Sequence, residues 1–223
     1  ALLEEGKINL KDSIDTGKGT FKFYDRNMND SKEGGYGKIT IKEAFEKSSN
    51  VAISRLVEDN FGHNPSKFVS YIEKAGLDKP IDFQLKGEGV PYFKKPGEKN
   101  WYGTTLPWMS IGYEAKLTPL HTLMLYNAIA NDGKMVKPMI VKAVARGNQI
   151  EEEYETEVVR RSIASSKTID QLKILLEGVV QNGTAKNVYT EEYKIAGKTG
   201  TAQKLIGGRY TQRYYTSFAG YFP

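Results

Sequence analysis

Residues 195–203 of this 223-residue chain have the sequence Ile-Ala-Gly-Lys-Thr-Gly-Thr-Ala-Gln. The alternating pattern over residues 193–204 predicts a β-strand, and a second strand is predicted over residues 214–221. Leu205-Ile206-Gly207-Gly208 supplies the hairpin between them. A strand that is followed so closely by a partner indicates an antiparallel sheet near the end of the chain.

Helical patterns dominate the sequence before these strands. Each combines apolar residues spaced three and four apart with an N-terminal cap or a C-terminal glycine. Helices are predicted over residues 41–47, 50–59, 65–75, 119–130 and 168–182, the last with Gly183 as its C-cap. One more strand is predicted over residues 139–144, before a turn at Gly147-Asn148. Helices followed by paired strands predict an α+β fold, an antiparallel sheet flanked by helices, as one domain over residues 1–223.

Composition restricts the class of protein. Hydrophobic residues make up 39% and charged residues 26%, which is the balance of a globular protein and not of a disordered chain. The net charge is +5, but basic and acidic residues alternate, so no nucleic-acid partner is expected. There is no cysteine and there are only two histidines, so we expect no disulfide and no metal site.

The segment Lys198-Thr199-Gly200-Thr201 is suited to binding an anionic peptide along a strand edge. Lys198 brings a positive charge, and Thr199 brings a hydroxyl donor for a carboxylate. Gly200 lets a ligand lie against the backbone, and the Thr201 N–H can point at a developing oxyanion. An ordinary turn that contains glycine is the competing interpretation, which this segment alone does not exclude.

Ser48-Ser49-Asn50 lies at the junction of two predicted helices. Ser48 can relay a proton there, and Asn50 can both donate and accept hydrogen bonds with a peptide. Capping of the second helix explains the same residue types without any function. The two segments together indicate a serine acyl transferase more strongly than either segment alone, because S-x-N followed by K-T-G is the order found in those enzymes.

The first motif of that set, S-x-x-K, does not occur in the chain. Thr201-Ala202-Gln203-Lys204 has a similar spacing, but it follows the K-T-G triplet and begins with threonine. The blocks around the two motifs resemble the transpeptidase domain of class B penicillin-binding proteins. Some details of these blocks favour the division-type members of that family. The resembling blocks are residues 47–52, 109–114, 117–120, 131–134, Lys137-Pro138, 195–203 and 217–223.

The resemblance implies a serine acyl transferase that cross-links peptidoglycan without a cofactor. Ser48 would relay protons, Asn50 would hold the acyl-side amide, and Lys198 and Thr199 would bind the substrate carboxylate beside Gly200. The Thr201 N–H would form half of the oxyanion hole. Peptidoglycan stem peptides and β-lactams are the implied ligands. Divisome membrane proteins are implied as partners, on the extracytoplasmic face of the plasma membrane.

In such a family the segment 1–6 would be the end of the helix that carries the nucleophilic serine and its lysine. We therefore expect both to lie before Ala1, together with a membrane anchor, and further strands to follow the chain. This piece by itself is then expected to be inactive. The alternatives are a penicillin-sensing receptor, a non-enzymatic interaction domain and a β-lactamase, for which Glu88 and Glu98 are the available carboxylates. His121 and the tryptophans are expected to be structural.

Overall fold

The structure is a computed structural model that describes residues 1–207 and 209–222, with the backbone alone at positions 205, 209 and 210. Gly208 of the predicted hairpin and Pro223 lie outside the described residues. The helices are Ile41–Glu46 (α1), Asn50–Phe61 (α2), Pro65–Lys74 (α3), Thr105–Met109 (α4), Pro119–Ala130 (α5) and Ser166–Gln181 (α6), with a 3-10 turn at Lys186–Val188. None of the helices in this part of the chain is both long and apolar enough to cross a membrane.

The strands form six antiparallel pairs among the described residues. In chain order they are Ser13–Asp15 (β1), Thr20–Phe23 (β2), Arg26–Asn29 (β3), Lys38–Thr40 (β4), Tyr92–Phe93 (β5), Ala115–Lys116 (β6), Met135–Val136 (β7), Ala143–Arg146 (β8), Gln149–Glu153 (β9), Val158–Arg160 (β10), Ala196–Ile206 (β11) and Arg209–Tyr221 (β12). The longest pair is the β11–β12 hairpin, which confirms the two predicted strands. The mixture of helices with antiparallel pairs is the expected α+β class.

The chain divides into two compact units. The first contains Ala1–Lys7 and Leu56–Ile169, and the second contains Ile8–Arg55 and the chain from Asp170 onward. Both predicted motifs, at residues 48–50 and 198–200, belong to the second unit. The expectation of one domain over the whole chain stays a prediction.

In the described part of the first unit, buried apolar side chains form clusters in the core. One joins Val57 and Phe61 of α2 with Leu106 of α4, and another is built around Met124 and Ala128 of α5. Beside α5, His121 is 1% exposed, and its ring nitrogens face the Thr118 hydroxyl at 2.7 Å and the Lys79 carbonyl at 2.9 Å. The structural role that we expected for His121 therefore agrees with its contacts.

The strand predicted over residues 139–144 is wrong for residues 139–142. The backbone is a strand only from Ala143. The side chain of Gln84 takes the place of a neighbouring strand, since its Oε1 accepts the N–H groups of Ile140 and Val141 and its Nε2 donates to the Val141 carbonyl. A carboxamide can satisfy both kinds of backbone group, so Ile140 and Val141 are hydrogen-bonded without joining a sheet.

The first residues of the chain have the geometry of a helix end. The Lys7 N–H donates to the Leu2 carbonyl at 3.0 Å and the Gly6 N–H donates to the Leu3 carbonyl at 3.0 Å. Gly6 has a φ of +63°, the left-handed conformation that glycine adopts without steric cost. These features make a Schellman motif, a C-terminal cap that agrees with the helix end expected over residues 1–6.

In the second unit, the buried side of α6 provides the core, with Val179 and Val180 packed against Ala185, Phe45 and Ile195. Gly183 is not the left-handed C-cap that we predicted, because its φ is not positive. It is required for a different reason, since a Cβ there would lie 2.2 Å from the carbonyl oxygen of Glu46. Glycine thus allows the turn after α6 to lie directly on the end of α1.

Candidate active site

The loop at Ser48 is a tight reversal between α1 and α2. The N–H of Ser48 donates to the Phe45 carbonyl at 3.1 Å, and the N–H of Ser49 donates to the Ala44 carbonyl at 2.9 Å. This is again a Schellman motif, with Ser48 at the position where glycine is usual. Ser48 accordingly has a φ of +55°, which is uncommon for a residue with a Cβ. The strained turn puts the Ser48 side chain outside both helices.

Ser49 and Asp30 together cap the start of α2. The buried Ser49 hydroxyl accepts the N–H of Ala52 at 3.1 Å and donates to the Asp30 carboxylate at 3.0 Å. Asp30 Oδ1 also accepts the N–H of Val51 at 3.0 Å. Helix capping therefore applies to Ser49, as the local interpretation requires, while Ser48 is left for another role.

Asn50 is the first residue of α2, and its Nδ2 donates to the Asn29 carbonyl at 2.9 Å. This bond, like the one from Ser49 to Asp30, attaches the motif to the end of strand β3. The carboxamide of Asn50 is thus held in a defined orientation by the hairpin β2–β3.

Lys198 joins the two motifs. Its Nζ donates to the Ser48 hydroxyl at 2.9 Å and to its neighbour's carbonyl, that of Thr199, at 3.2 Å. Ser48 and Lys198 are 150 positions apart in sequence, so only folding can bring them together. Burial lowers the pKa of the Lys198 ammonium, because desolvation disfavours its charged form.

Thr199, Gly200 and Thr201 follow on strand β11. The Thr199 hydroxyl lies 2.5 Å from the hydroxyl of Thr184, in the turn after α6. Gly200 pairs with Ser217 of β12, and a Cβ at Gly200 would lie 2.7 Å from the Ser217 hydroxyl. This cross-strand contact is a second reason for glycine at that position, beside the ligand contact that we expected.

The opposite edge of β11 has no strand partner among the described residues. Among the described strands, β11 pairs only with β12, and it does so along nearly its whole length. Thr201, paired with Thr216, has an exposed side chain. A strand with one unpaired edge can bind a peptide through backbone hydrogen bonds. The described part of the chain contains no group of three or more histidine or acidic side chains that could hold a metal.

Two residues that contact the motifs, Asp30 and Thr184, were not predicted from the sequence. Asp30 lies in a turn-rich segment 19 positions before Ser49, and Thr184 lies 15 positions before Thr199. Acidic and hydroxyl residues are common in turns, so neither position carries a signal in a single sequence.

The carboxylates considered for a β-lactamase have local partners. Glu88 accepts the N–H groups of Ile81 at 2.5 Å and Phe83 at 3.1 Å, and these bonds lower the pKa of its carboxyl. Glu98 accepts the hydroxyl hydrogen of Tyr92 at 3.0 Å. Both side chains therefore stabilise the connection in which they lie, in the first compact unit.

Comparison with known proteins finds a family model and several relatives that match this chain. A family model described as the penicillin binding protein transpeptidase domain matches residues 1–223. Stage V sporulation protein D of Bacillus subtilis is 29% identical over 228 residues, covering 100% of this chain and 34% of that protein. Peptidoglycan D,D-transpeptidase FtsI of Escherichia coli is 26% identical over 189 residues, covering 84% of this chain and 30% of that protein.

Among solved structures, penicillin binding protein 3 of Mycobacterium tuberculosis complexed with ampicillin has a TM-score of 0.84 and 29% identity. The match covers 99% of this chain and 49% of that one, and the same protein is known complexed with aztreonam. The chain thus spans about a third of the length of its curated relatives. On the family match, which extends over its whole length, the chain belongs to the penicillin-binding protein transpeptidase domain family.

Proposed function

We propose that the protein containing this chain is a serine-type D-Ala-D-Ala transpeptidase that cross-links peptidoglycan. The hydrogen bond from Lys198 to Ser48 carries the proposal, because it joins the S-x-N and K-T-G motifs in one site. Family membership of residues 1–223 supports it, and so do the names of the relatives.

The proposed reaction is an acyl transfer in two steps. The oxygen of a serine nucleophile attacks the carbonyl between two D-alanines, the amide bond breaks, and the terminal D-alanine leaves with a proton on its amine. The amine of a second stem peptide then attacks the acyl-enzyme ester, which forms the cross-link and returns the proton to the serine. No S-x-x-K occurs in residues 1–223, so the nucleophile and its lysine would come from the protein outside them.

The residues of this chain would bind and orient the substrate. Ser48 lies within hydrogen-bond distance of Lys198, which suits a proton relay between the nucleophile and the leaving amine. Lys198 and Thr199 would bind the carboxylate of the terminal D-alanine next to Gly200. Asn50 would hold the amide on the acyl side, and the N–H of Thr201 would donate to the oxyanion.

The ligands follow from the same site. A β-lactam presents a reactive amide and a carboxylate at a spacing similar to that of the terminal dipeptide, so it would acylate the same serine. Support comes from the related structures complexed with ampicillin and aztreonam. Stem peptides are the proposed substrates, the extracytoplasmic side of the plasma membrane is the proposed place of action, and membrane proteins of cell division are the proposed partners.

A labelling experiment with fluorescent penicillin tests this function. The full-length protein should form one covalent adduct per molecule, whereas the 223-residue chain alone should form none. A full-length Lys198→Ala variant should label at least tenfold more slowly, because a charge-assisted bond to the drug carboxylate is lost.

Four results would contradict the proposal. A full-length protein that never labels would exclude the acyl transferase. Rapid turnover of penicillin would indicate a β-lactamase, and labelling without cross-linking of stem peptides would indicate a penicillin receptor. A stoichiometric adduct on the 223-residue chain would show that the nucleophile lies within it.

A further inference from the structure

Thr184 lies beside the triplet Lys198-Thr199-Gly200 without belonging to either motif. Its hydroxyl oxygen is 2.5 Å from that of Thr199, a distance at which one of the two groups must donate a hydrogen to the other. The side chain of Thr184 is exposed, so it fills no space in the core. Its contact with Thr199 is the interaction that the structure gives this hydroxyl.

The backbone at Thr184 is held firmly on both sides. The Thr184 N–H donates to the Glu46 carbonyl at 3.1 Å, and Gly183 lies so close to the same carbonyl that no Cβ would fit. On the other side, Ala185 is buried against Val179 and Val180. The turn therefore presents the Thr184 hydroxyl in a fixed place, on the end of the helix that also leads to Ser48.

Counting hydrogens decides the direction of the bond in a complex. A threonine hydroxyl has one hydrogen to donate. If Thr199 donates that hydrogen to a ligand carboxylate, the short contact with Thr184 can be a hydrogen bond only when Thr184 is the donor. Donation to Thr199 also makes the Thr199 hydroxyl a better donor, because successive hydrogen bonds polarise one another.

We propose that Thr184 is a positioning residue, which donates to the Thr199 hydroxyl and thereby directs it at the carboxylate of the stem peptide or β-lactam. This inference rests on the proposed function, in which Thr199 binds that carboxylate. It extends the site to the turn after α6, which neither motif includes.

The test compares acylation of the full-length protein by benzylpenicillin and by its methyl ester, which lacks the carboxylate, with the adduct followed by mass spectrometry. Thr184→Val removes the donor and keeps the shape, so the second-order rate constant for benzylpenicillin should fall about fivefold to tenfold. Thr184→Ser should stay within about twofold of the wild type, because it keeps the hydroxyl. Thr156→Val, an exposed threonine of the other unit, is the matched control and should change nothing.

The methyl ester separates positioning from a structural effect. With the ester, Thr184→Val and the wild type should react at rates within about twofold of each other, because the group that Thr199 addresses is gone. Equal losses with acid and ester, or no loss with either, would overturn the role of Thr184 while leaving the proposed function intact. Thr184→Ala repeats the comparison if the valine variant is unstable, and a wild type that never reacts would overturn both proposals.

Discussion

Ser48 has a left-handed backbone at a position where helices usually end in glycine, with a φ of +55°. Its side chain accepts a hydrogen bond from Lys198, so the residue combines an unfavourable backbone with a polar contact in the site. Such strain occurs at functional sites, where the surrounding structure maintains it.

Substitutions at Ser48 should separate strain from function. Ser48→Gly and Ser48→Ala both remove the hydroxyl, so both should slow penicillin labelling of the full-length protein to the same degree. Glycine relieves the left-handed strain and alanine does not, so the glycine variant should be more stable by about 1 kcal/mol. Urea unfolding measures the difference, and an alanine variant as stable as the glycine variant would contradict the strain.

Lys198 provides a prediction about pH. The ammonium is the form that binds a carboxylate, and burial lowers its pKa below the ordinary 10.5. As the pH rises, Lys198 should therefore lose its charge before an exposed lysine does. The second-order rate constant of acylation should then decrease with rising pH, and this decrease should begin before pH 10.5 is reached.

The matched variant is Lys198→Arg, whose guanidinium stays charged over this range. Its rate constant should be lower at neutral pH, but its decrease should begin at a higher pH than in the wild type. A decrease that stays at the same pH in the arginine variant would belong to another group.

At the scale of elements, the start of α2 depends on a strand from another part of the chain. Asp30 accepts hydrogen bonds from the Ser49 hydroxyl and from the N–H of Val51, and it places a negative charge at the positive end of the helix. The carbonyl of the preceding residue, Asn29, accepts from Asn50. The hairpin β2–β3 thus orients the whole S-x-N segment.

Asp30→Asn should lower the free energy of unfolding by about 1 kcal/mol, because the charged cap is replaced by a neutral group. It should also slow penicillin labelling, since Ser48 and Asn50 lose part of their support. Asp25→Asn, in the same hairpin with an 80% exposed side chain, is the control and should leave both quantities unchanged. Equal effects of the two substitutions in thermal unfolding and labelling would contradict the capping role.

The elements also show where a single sequence is sufficient. Thr40 and Thr118 are N-caps of α1 and α5, and Gly76 ends α3 with a φ of +70°, because capping depends on residues a few positions apart. The strand prediction failed at residues 139–142, where the side chain of Gln84, distant in sequence, accepts hydrogen bonds from the backbone. The role predicted for Gly183 was wrong, because glycine is required there by a close contact with Glu46, which is remote in sequence.

At the scale of the whole molecule, each of the two motifs was recognisable in the sequence, because the residues of a motif are close neighbours along the chain. Their order and neighbouring residues predicted the family, which the match over residues 1–223 confirms. The α+β class followed from periodicity, because helices and strands repeat their apolar residues at different spacings. The sequence by itself therefore determined the family and the class of fold. It also predicts the site residues Ser48, Asn50, Lys198, Thr199, Gly200 and Thr201.

Only the tertiary structure decided how these residues are held. The bond between Lys198 and Ser48, the cap from Asp30 and the contact of Thr184 with Thr199 join positions 15 to 150 residues apart. Such contacts depend on the packing of α1, α6 and the hairpins, which no local pattern encodes. Caps and turns can be predicted from residues that are neighbours in the sequence, whereas the orientation of a hydroxyl group depends on the residues that pack against it in the fold.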